Sequence, residues 1–149
     1  MPQEPWTNVP DVRRAVMRGN KAKNTKPEVA VRRMLHAMGY RFRLHRRDLP
    51  GTPDIVFPGR RKVIQVHGCF WHQHEGCRRA TIPATRREYW LPKLAANKAR
   101  DLATEGRLVS LGWTSMTVWE CQIADPECLA LQLRTFLGPA NNERARTEP

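Results

Sequence analysis

Residues 67–82 read His-Gly-Cys-Phe-Trp-His-Gln-His-Glu-Gly-Cys-Arg-Arg-Ala-Thr-Ile, with too few aliphatic side chains to form a core element. A stretch of this composition folds only if something other than apolar burial holds it. Cys69-x4-His74-x2-Cys77, joined by the distant Cys121, offers the thiolate and imidazole donors of a closed tetrahedral site, the preference of structural zinc. Spacing alone leaves His72 and His74 as alternatives for the imidazole, and Cys69 and Cys121 also suit the role of small buried hydrophobes. The N-terminal MPQEPWTNVPDVRR has no apolar core of a signal peptide, which predicts a cytoplasmic protein with reduced thiols rather than disulfides.

The elements on either side of this stretch are legible from pattern. Thr25-Lys26-Pro27-Glu28 is a capping box, and Val31, Met34, Leu35 and Met38 follow at helical spacing, so a helix is expected over 26–38, stopped by Gly39. Period-two alternation over 40–44 predicts a half-buried strand. After the turn Leu49-Pro50-Gly51-Thr52-Pro53, residues 54–57 and 63–66 are expected to pair as a hairpin. Thr85-Arg86-Arg87-Glu88 suggests a second capping box, opening a long helix to about 110 with Leu91, Leu94, Ala95, Leu102 and Val109 on one face. Residues 113–120 read as a buried strand holding Trp113 and Trp119. Asp125-Pro126 starts a last helix to Leu137, in which Cys128 is expected in the core. The order α-β-β-β-α-β-α predicts an α/β fold, a mixed β-sheet flanked by helices. The expected organisation is a basic N-terminal arm over 1–24, one domain over 25–138 and a flexible tail over 139–149.

Charge narrows the function. The chain carries 26 Lys+Arg against 14 Asp+Glu, a net +12. Residues 1–100 hold 22 of the basic and 7 of the acidic residues, while residues 101–149 hold 4 and 7. The positives cluster at Arg13/Arg14/Arg18, Arg41/Arg43/Arg46/Arg47, Arg60/Arg61/Lys62 and Arg78/Arg79/Arg86/Arg87. Clustering favours a polyanion partner, nucleic acid above all, over uniformly solvated surfaces. No run approaches eighteen apolar residues, so no membrane-spanning helix is expected. The lack of heptads or of a long apolar edge predicts a monomer.

Pro53-Asp54 opens one strand of the hairpin and Gln65-Val66-His67 ends the other. The placement is similar to the Pro-Asp…(Asp/Glu)-x-Lys pattern of metal-dependent nucleases, with Gln65 where a second carboxylate is usual and His67 in place of lysine. His67-Gly68-Cys69-Phe70-Trp71-His72 is more specific. It runs in colinear order with Pro50-Gly51-x-Pro53-Asp54, Pro83-Ala84-Thr85-Arg86, Glu88-Tyr89-Trp90, Asn97-x-x-Arg100-Asp101, Leu111-Gly112-Trp113 and Val118-Trp119-Glu120-Cys121. Over residues 13–137 the chain resembles the very-short-patch repair endonucleases, which nick DNA beside T:G mismatches left when 5-methylcytosine deaminates.

The resemblance implies a restriction-endonuclease-like, PD-(D/E)xK-type sandwich with a structural zinc site and a catalytic Mg²⁺. It makes Asp54 the Mg²⁺-binding carboxylate, with the backbone carbonyl of Val66 as a further ligand where many relatives have threonine. His72 becomes the general acid/base, His67 its partner, and Asp101 the carboxylate that orients His72. Glu28 matches an acidic residue near the family's active site, a role that competes with its place in the capping box; Asp101 also has an ordinary reading as a solvated helix residue. Cys69, His74, Cys77 and Cys121 become the zinc ligands, although one extra residue, in Glu75-Gly76, separates His74 from Cys77. Phe70, Trp71 and Trp90 match aromatics that wedge between bases at the mismatch. The implied partners are double-stranded DNA with a T:G mismatch, a polymerase and ligase to use the nick, and general mismatch-repair proteins. Two other readings fit parts of the sequence: a sequence-specific nickase that ignores mismatches, and a zinc-stabilised DNA-binding protein without catalysis.

Overall fold

A computed structural model of the chain describes residues 24–140, so nearly all of the expected N-terminal arm and tail lies outside the described residues. Within them three helices and a four-stranded mixed sheet form an α/β fold. The order is α1 (Lys26–Ala37), β1 (Arg43–Leu44), β2 (Ile55–Phe57), β3 (Lys62–His67), α2 (Arg87–Ser110), β4 (Thr114–Trp119) and α3 (Pro126–Leu137). In space the strands follow β1-β2-β3-β4. β1 and β2 pair antiparallel, as do β2 and β3 in the expected hairpin, while β4 lies parallel to β3 after the α2 crossover.

Alternation along the strands divides the core. Ile55, Phe57, Ile64 and Val118 pack with Val31 and Leu35 of α1 and Leu129, Leu133 and Leu137 of α3. Val56 and Val63 point to the opposite face and pack with Leu49, Leu108 and Trp113. Helices α1 and α3 therefore cover one face and α2 the other, each coverage fixed by which residues of β2 and β3 face it.

Local chemistry sets the helix ends. The Thr25 side chain accepts the Glu28 N–H at 3.3 Å to start α1. At its other end Gly39 takes a φ of 91°, and Tyr40 N–H returns to the Leu35 carbonyl, a Schellman closure. Asp125 caps α3 through the Cys128 N–H. Beyond Leu137, Arg60 donates to the Leu137 and Pro139 carbonyls, Lys62 to that of Phe136 and Tyr40 to that of Gly138. Two of these donors are cations at the negative end of the helix dipole.

Four local expectations give way. The strand over 40–44 shrinks to Arg43–Leu44, and both of its residues are exposed, because Tyr40 leaves the sheet to finish the α1 closure. Thr85 does not cap α2; Arg86 does, in the left-handed region and without a side-chain bond, which turns Thr85 away. Helix α2 buries Trp90, Leu94 and Leu108, while Leu91, Leu102 and Val109 stay exposed. It touches the core near both ends, and its middle stands off from the sheet. Cys128 is exposed, one position off the Leu129/Leu133 stripe.

Candidate active site and metal cluster

The stand-off of α2 opens a cleft of about 1070 Å³ over the second face of the sheet. Gln65 and His67 of β3 and Ser115, Thr117 and Trp119 of β4 form its floor, at alternate positions as a strand requires. Lys98, Asp101 and Thr104 of α2 form one wall, and the β1–β2 loop with His45, Arg47 and Gly51 forms another. Gly51 is needed there. Its φ is 73°, and a β-carbon would meet Thr104 Cγ2 at 2.3 Å, so only glycine lets the loop rest on α2 just before Asp54.

Two groups of ionisable side chains meet at this cleft, all of them lining it except the buried Glu28. In the first, Glu28, His45 and Asp54 bring their donor atoms within 4.8 Å of one another. Asp54 Oδ2 accepts the Val66 N–H at 2.8 Å, which ties the start of β2 to the end of β3. Burial, with Glu28 alongside, raises the Asp54 carboxyl to about 7 despite that bond. Glu28 is 2% exposed. Burial would raise it too, but hydrogen bonds from His45, Asp54 and Arg32 prevail and hold it below its ordinary value. Glu28 is thus both the N3 residue of α1 and a member of the acidic group. Its carboxylate accepts the Asn24 N–H rather than that of Thr25, so the box is not reciprocal.

The second group is His67, His72 and Asp101. His72 Nδ1 lies 2.6 Å from Asp101 Oδ2, and His67 Nδ1 lies 4.0 Å from the same oxygen. The two imidazoles stack at 3.8 Å with an interplanar angle of 8°. Parallel rings at that distance cannot aim in-plane lone pairs at one ion, so the arrangement suits proton transfer better than metal binding. Burial, with the His72 charge nearby, lowers His67 to about 4, which leaves it neutral at pH 7. Asp101 is therefore no idle surface residue.

Behind the cleft, Cys69, His74, Cys77 and Cys121 place their donor atoms within 4.8 Å of one another. His74 Nδ1 is 3.8 Å from Cys69 Sγ and 3.4 Å from Cys121 Sγ. Ligand atoms on a tetrahedral ion with metal–sulfur and metal–nitrogen distances of zinc type stand roughly 3.4–3.8 Å apart, so the set fits such an ion. Burial, with the Cys121 and Cys77 thiols beside it, pushes Cys69 up to about 12. Cys77 is lowered, chiefly by the Arg79 backbone N–H. Between His74 and Cys77 the chain turns at Gly76, whose φ of 73° suits glycine. The fold separates the two histidines that spacing left open: His72 faces the cleft and His74 the thiols.

Trp119 stands between the two centres. Its ring stacks on His74 at 4.2 Å and meets His67 edge-on at 5.4 Å, so it is not the plain core residue expected. Trp113 does go to the core. Phe70, Trp71 and Trp90 pack on one another with centroids 5.1 to 5.8 Å apart, and Asn97 holds the Trp71 carbonyl at 3.0 Å. Phe70 and Trp71 are half-buried by this packing, and Trp90 is 4% exposed. Val66 turns its side chain into the first core and keeps only its backbone at the site. His45 and Arg32 escaped sequence reasoning. The signal was weak: a histidine after a short strand, and a helix arginine four residues past Glu28.

A cleft holding an acidic pair, a carboxylate–imidazole pair and basic walls is what a phosphodiester-cleaving enzyme needs, and comparison with known proteins agrees. The profile for DNA mismatch endonuclease Vsr matches residues 7–79. A Type II nicking enzyme of Xanthomonas oryzae, V.XorIIP, is 54% identical over 131 residues, 88% of this chain and 96% of that protein. The DNA mismatch endonuclease Vsr of Escherichia coli is 42% identical over 113 residues, 76% of this chain and 72% of its own. The nicking enzyme V.NmeAIP of Neisseria meningitidis is 39% identical over 102 residues, 68% of this chain and 72% of its own. The chain belongs to the Vsr family of DNA endonucleases and is a hydrolase of phosphodiester bonds. No helix among the described residues is long and apolar enough to cross a membrane.

Proposed function

We propose that the protein nicks one strand of duplex DNA next to T:G mismatches, using Mg²⁺ for catalysis and zinc for structure. The observation that carries this reading is the meeting of Asp54 and the His72–Asp101 pair in one cleft walled by Arg47, Lys98 and Arg100. Asp54, with the Val66 backbone carbonyl and Glu28 nearby, presents the hard oxygen donors that Mg²⁺ prefers. When bound there, Mg²⁺ polarises the scissile phosphate and lowers the pKa of water. His72 gives its Nδ1 proton to the bond with Asp101, which leaves Nε2 to take a proton from the attacking water. Oxygen–phosphorus bond formation then breaks the bond to the 3′ oxygen, which takes a proton from solvent. The products are a 5′-phosphate and a 3′-hydroxyl, ends that a polymerase and a ligase can use. Neutral His67, stacked on His72, adds no competing charge when the His72 ring becomes cationic.

Cys69, His74, Cys77 and Cys121 hold the zinc. The sandwich is of the PD-(D/E)xK type, with Gln65 and His67 at two of its positions. Phe70, Trp71 and Trp90 separate from one another to enter the duplex, at a cost of about a few kcal/mol per unstacked step that the bent duplex offsets. Basic walls add sequence-independent affinity that falls with salt.

Nicking of a T:G duplex beside C:G and T:A duplexes with identical flanks in Mg²⁺ tests the reading: T:G is cut, and Asp54→Ala cuts none. Equal cutting of all three duplexes favours the second reading, a nickase that needs no mismatch, which the names of the Xanthomonas and Neisseria relatives support. An active Asp54→Ala removes the metal assignment.

A further inference from the structure

His45 has no part in the mechanism above, yet it touches both acids of the first group. It follows β1 with a φ of 48°, a region that residues other than glycine rarely occupy. From there its backbone N–H donates to the Asp54 carbonyl at 3.2 Å. Its ring Nε2 meets Glu28 Oε1 at 2.6 Å. Because Glu28 is held as the carboxylate, the ring nitrogen is the donor. The other Glu28 oxygen, Oε2, is taken by Arg32 at 2.6 Å and by the Asn24 N–H at 2.5 Å. Both oxygens of an almost fully buried carboxylate are therefore engaged, and loss of the His45 ring would take from Oε1 the bond that fixes its direction beside Asp54.

We infer that His45 is a positioning residue of the Asp54 cation site, clamping Glu28 through its ring and Asp54 through its backbone so that the two carboxyls keep a fixed separation. The inference rests on the reading of Asp54 as the cation-binding carboxylate. His45 acts through Glu28 rather than as a ligand. At 2.6 Å the Nε2–Oε1 contact is a hydrogen bond, shorter than the roughly 3 Å that two ligands on one octahedral ion keep. Outer partners of this kind shift metal affinity or activity by about 10- to 100-fold when removed.

The test uses the full chain loaded with zinc. Mn²⁺ is titrated calorimetrically without DNA, and nicking of a T:G duplex is followed in Mg²⁺. His45→Ala is expected to weaken Mn²⁺ binding about 10- to 100-fold and to lower kcat while KM for the duplex holds. His45→Gln, whose amide nitrogen reaches nearly as far as Nε2, restores both to within about threefold. His45→Asn, too short to reach Glu28, behaves as alanine does, so a poorly folding alanine variant does not end the experiment. A His45→Ala protein that melts earlier but binds Mn²⁺ as the parent does overturns the inference, since the ring would then be only structural. So does a ¹⁴N coupling to bound Mn²⁺ in pulsed EPR that His45→Ala abolishes, since the ring would then be a ligand. Asp54→Asn separates the two levels. If it loses Mn²⁺ and His45→Ala does not, only the inference fails; if Asp54→Asn binds Mn²⁺ normally, the cation-site reading falls as well.

Discussion

His72 and His74 stand two residues apart and belong to different chemistries. His72 turns into a basic-walled cleft, bonded to a carboxylate and stacked on a second imidazole. His74 also borders the cleft, but its Nδ1 lies among the thiols and its ring against the face of Trp119. The first setting rewards hard cations and mobile protons, the second a soft cation held permanently. One irregular segment can serve both because the turns at 68–74, with His72 N–H to the Gly68 carbonyl and His74 N–H to that of Cys69, hold His72 Nδ1 against Asp101 and His74 Nδ1 against the thiols. Trp119 is the partition, its ring in contact with His74 of one centre and His67 of the other.

The sharpest way to break this contrast is to truncate each histidine in turn. His72→Ala should lower the nicking rate by about 10²- to 10⁴-fold and leave the melting temperature and the tightly bound metal unchanged. His74→Ala should do the reverse, with bound metal lost, a lower melting temperature and nicking that falls only as the folded fraction falls. Metal analysis, thermal melting and single-turnover nicking on both variants decide it. Similar behaviour of the two variants would mean that the centres are one.

A smaller effect separates the two acid–base groups of the cleft by pH. Asp54 titrates near 7 in the fold, well above an ordinary aspartate, so between about pH 4 and 7 the native chain binds a proton that the unfolded chain has released. That stabilisation is complete below the unfolded value and is lost as pH rises through 7. His67, lowered to about 4, works with the opposite sign between about 4 and 6.5, because there the unfolded chain binds the extra proton. Asp54→Asn is neutral at every pH and keeps what aspartate loses. In Mg²⁺-free buffer its melting temperature should exceed the parent's by an amount that grows from about pH 4 to 7 and then levels off, reaching roughly 2–6 °C. A difference that stays flat across this range contradicts the assignment. The variant would be more stable and inactive, a trade expected where two acids are buried together.

The smallest expected change is at Val66. Its side chain packs into the first core, so Val66→Thr should cost about 0.5–1.5 kcal/mol in denaturant melts and alter nicking by less than about threefold. A tenfold gain would show that a hydroxyl at this position reaches the cleft.

The parts of the fold that were legible in the sequence are those fixed by neighbours along the chain. Thr25 and Asp125-Pro126 start their helices, Gly39 stops one, and the hairpin of β2 with β3 follows from two short apolar runs on either side of Pro58-Gly59. The Cys/His set was legible because thiols and imidazoles crowd a stretch that has little else to bury. What failed was decided at a distance. Tyr40 leaves the strand for Leu35 and Gly138, and the middle of α2 is exposed because it walls a cleft rather than a core. His45 reaches Glu28 across 17 residues of sequence and Trp119 reaches His74 across 45, contacts that no local pattern announces.

The parallel pairing of β3 with β4 has a consequence for how the chain assembles. Its last matched couple is His67 with Trp119, and Cys69 and Cys121 each lie two residues farther on. A cation held by those thiols would continue the ladder beyond its last hydrogen bonds. A slip of one residue would shift one thiol by about 3.3 Å and turn alternate side chains to the wrong face. A misregistered chain would then fail to close its ligand set, so metal uptake would act as an inspection of strand alignment before the cleft can be used.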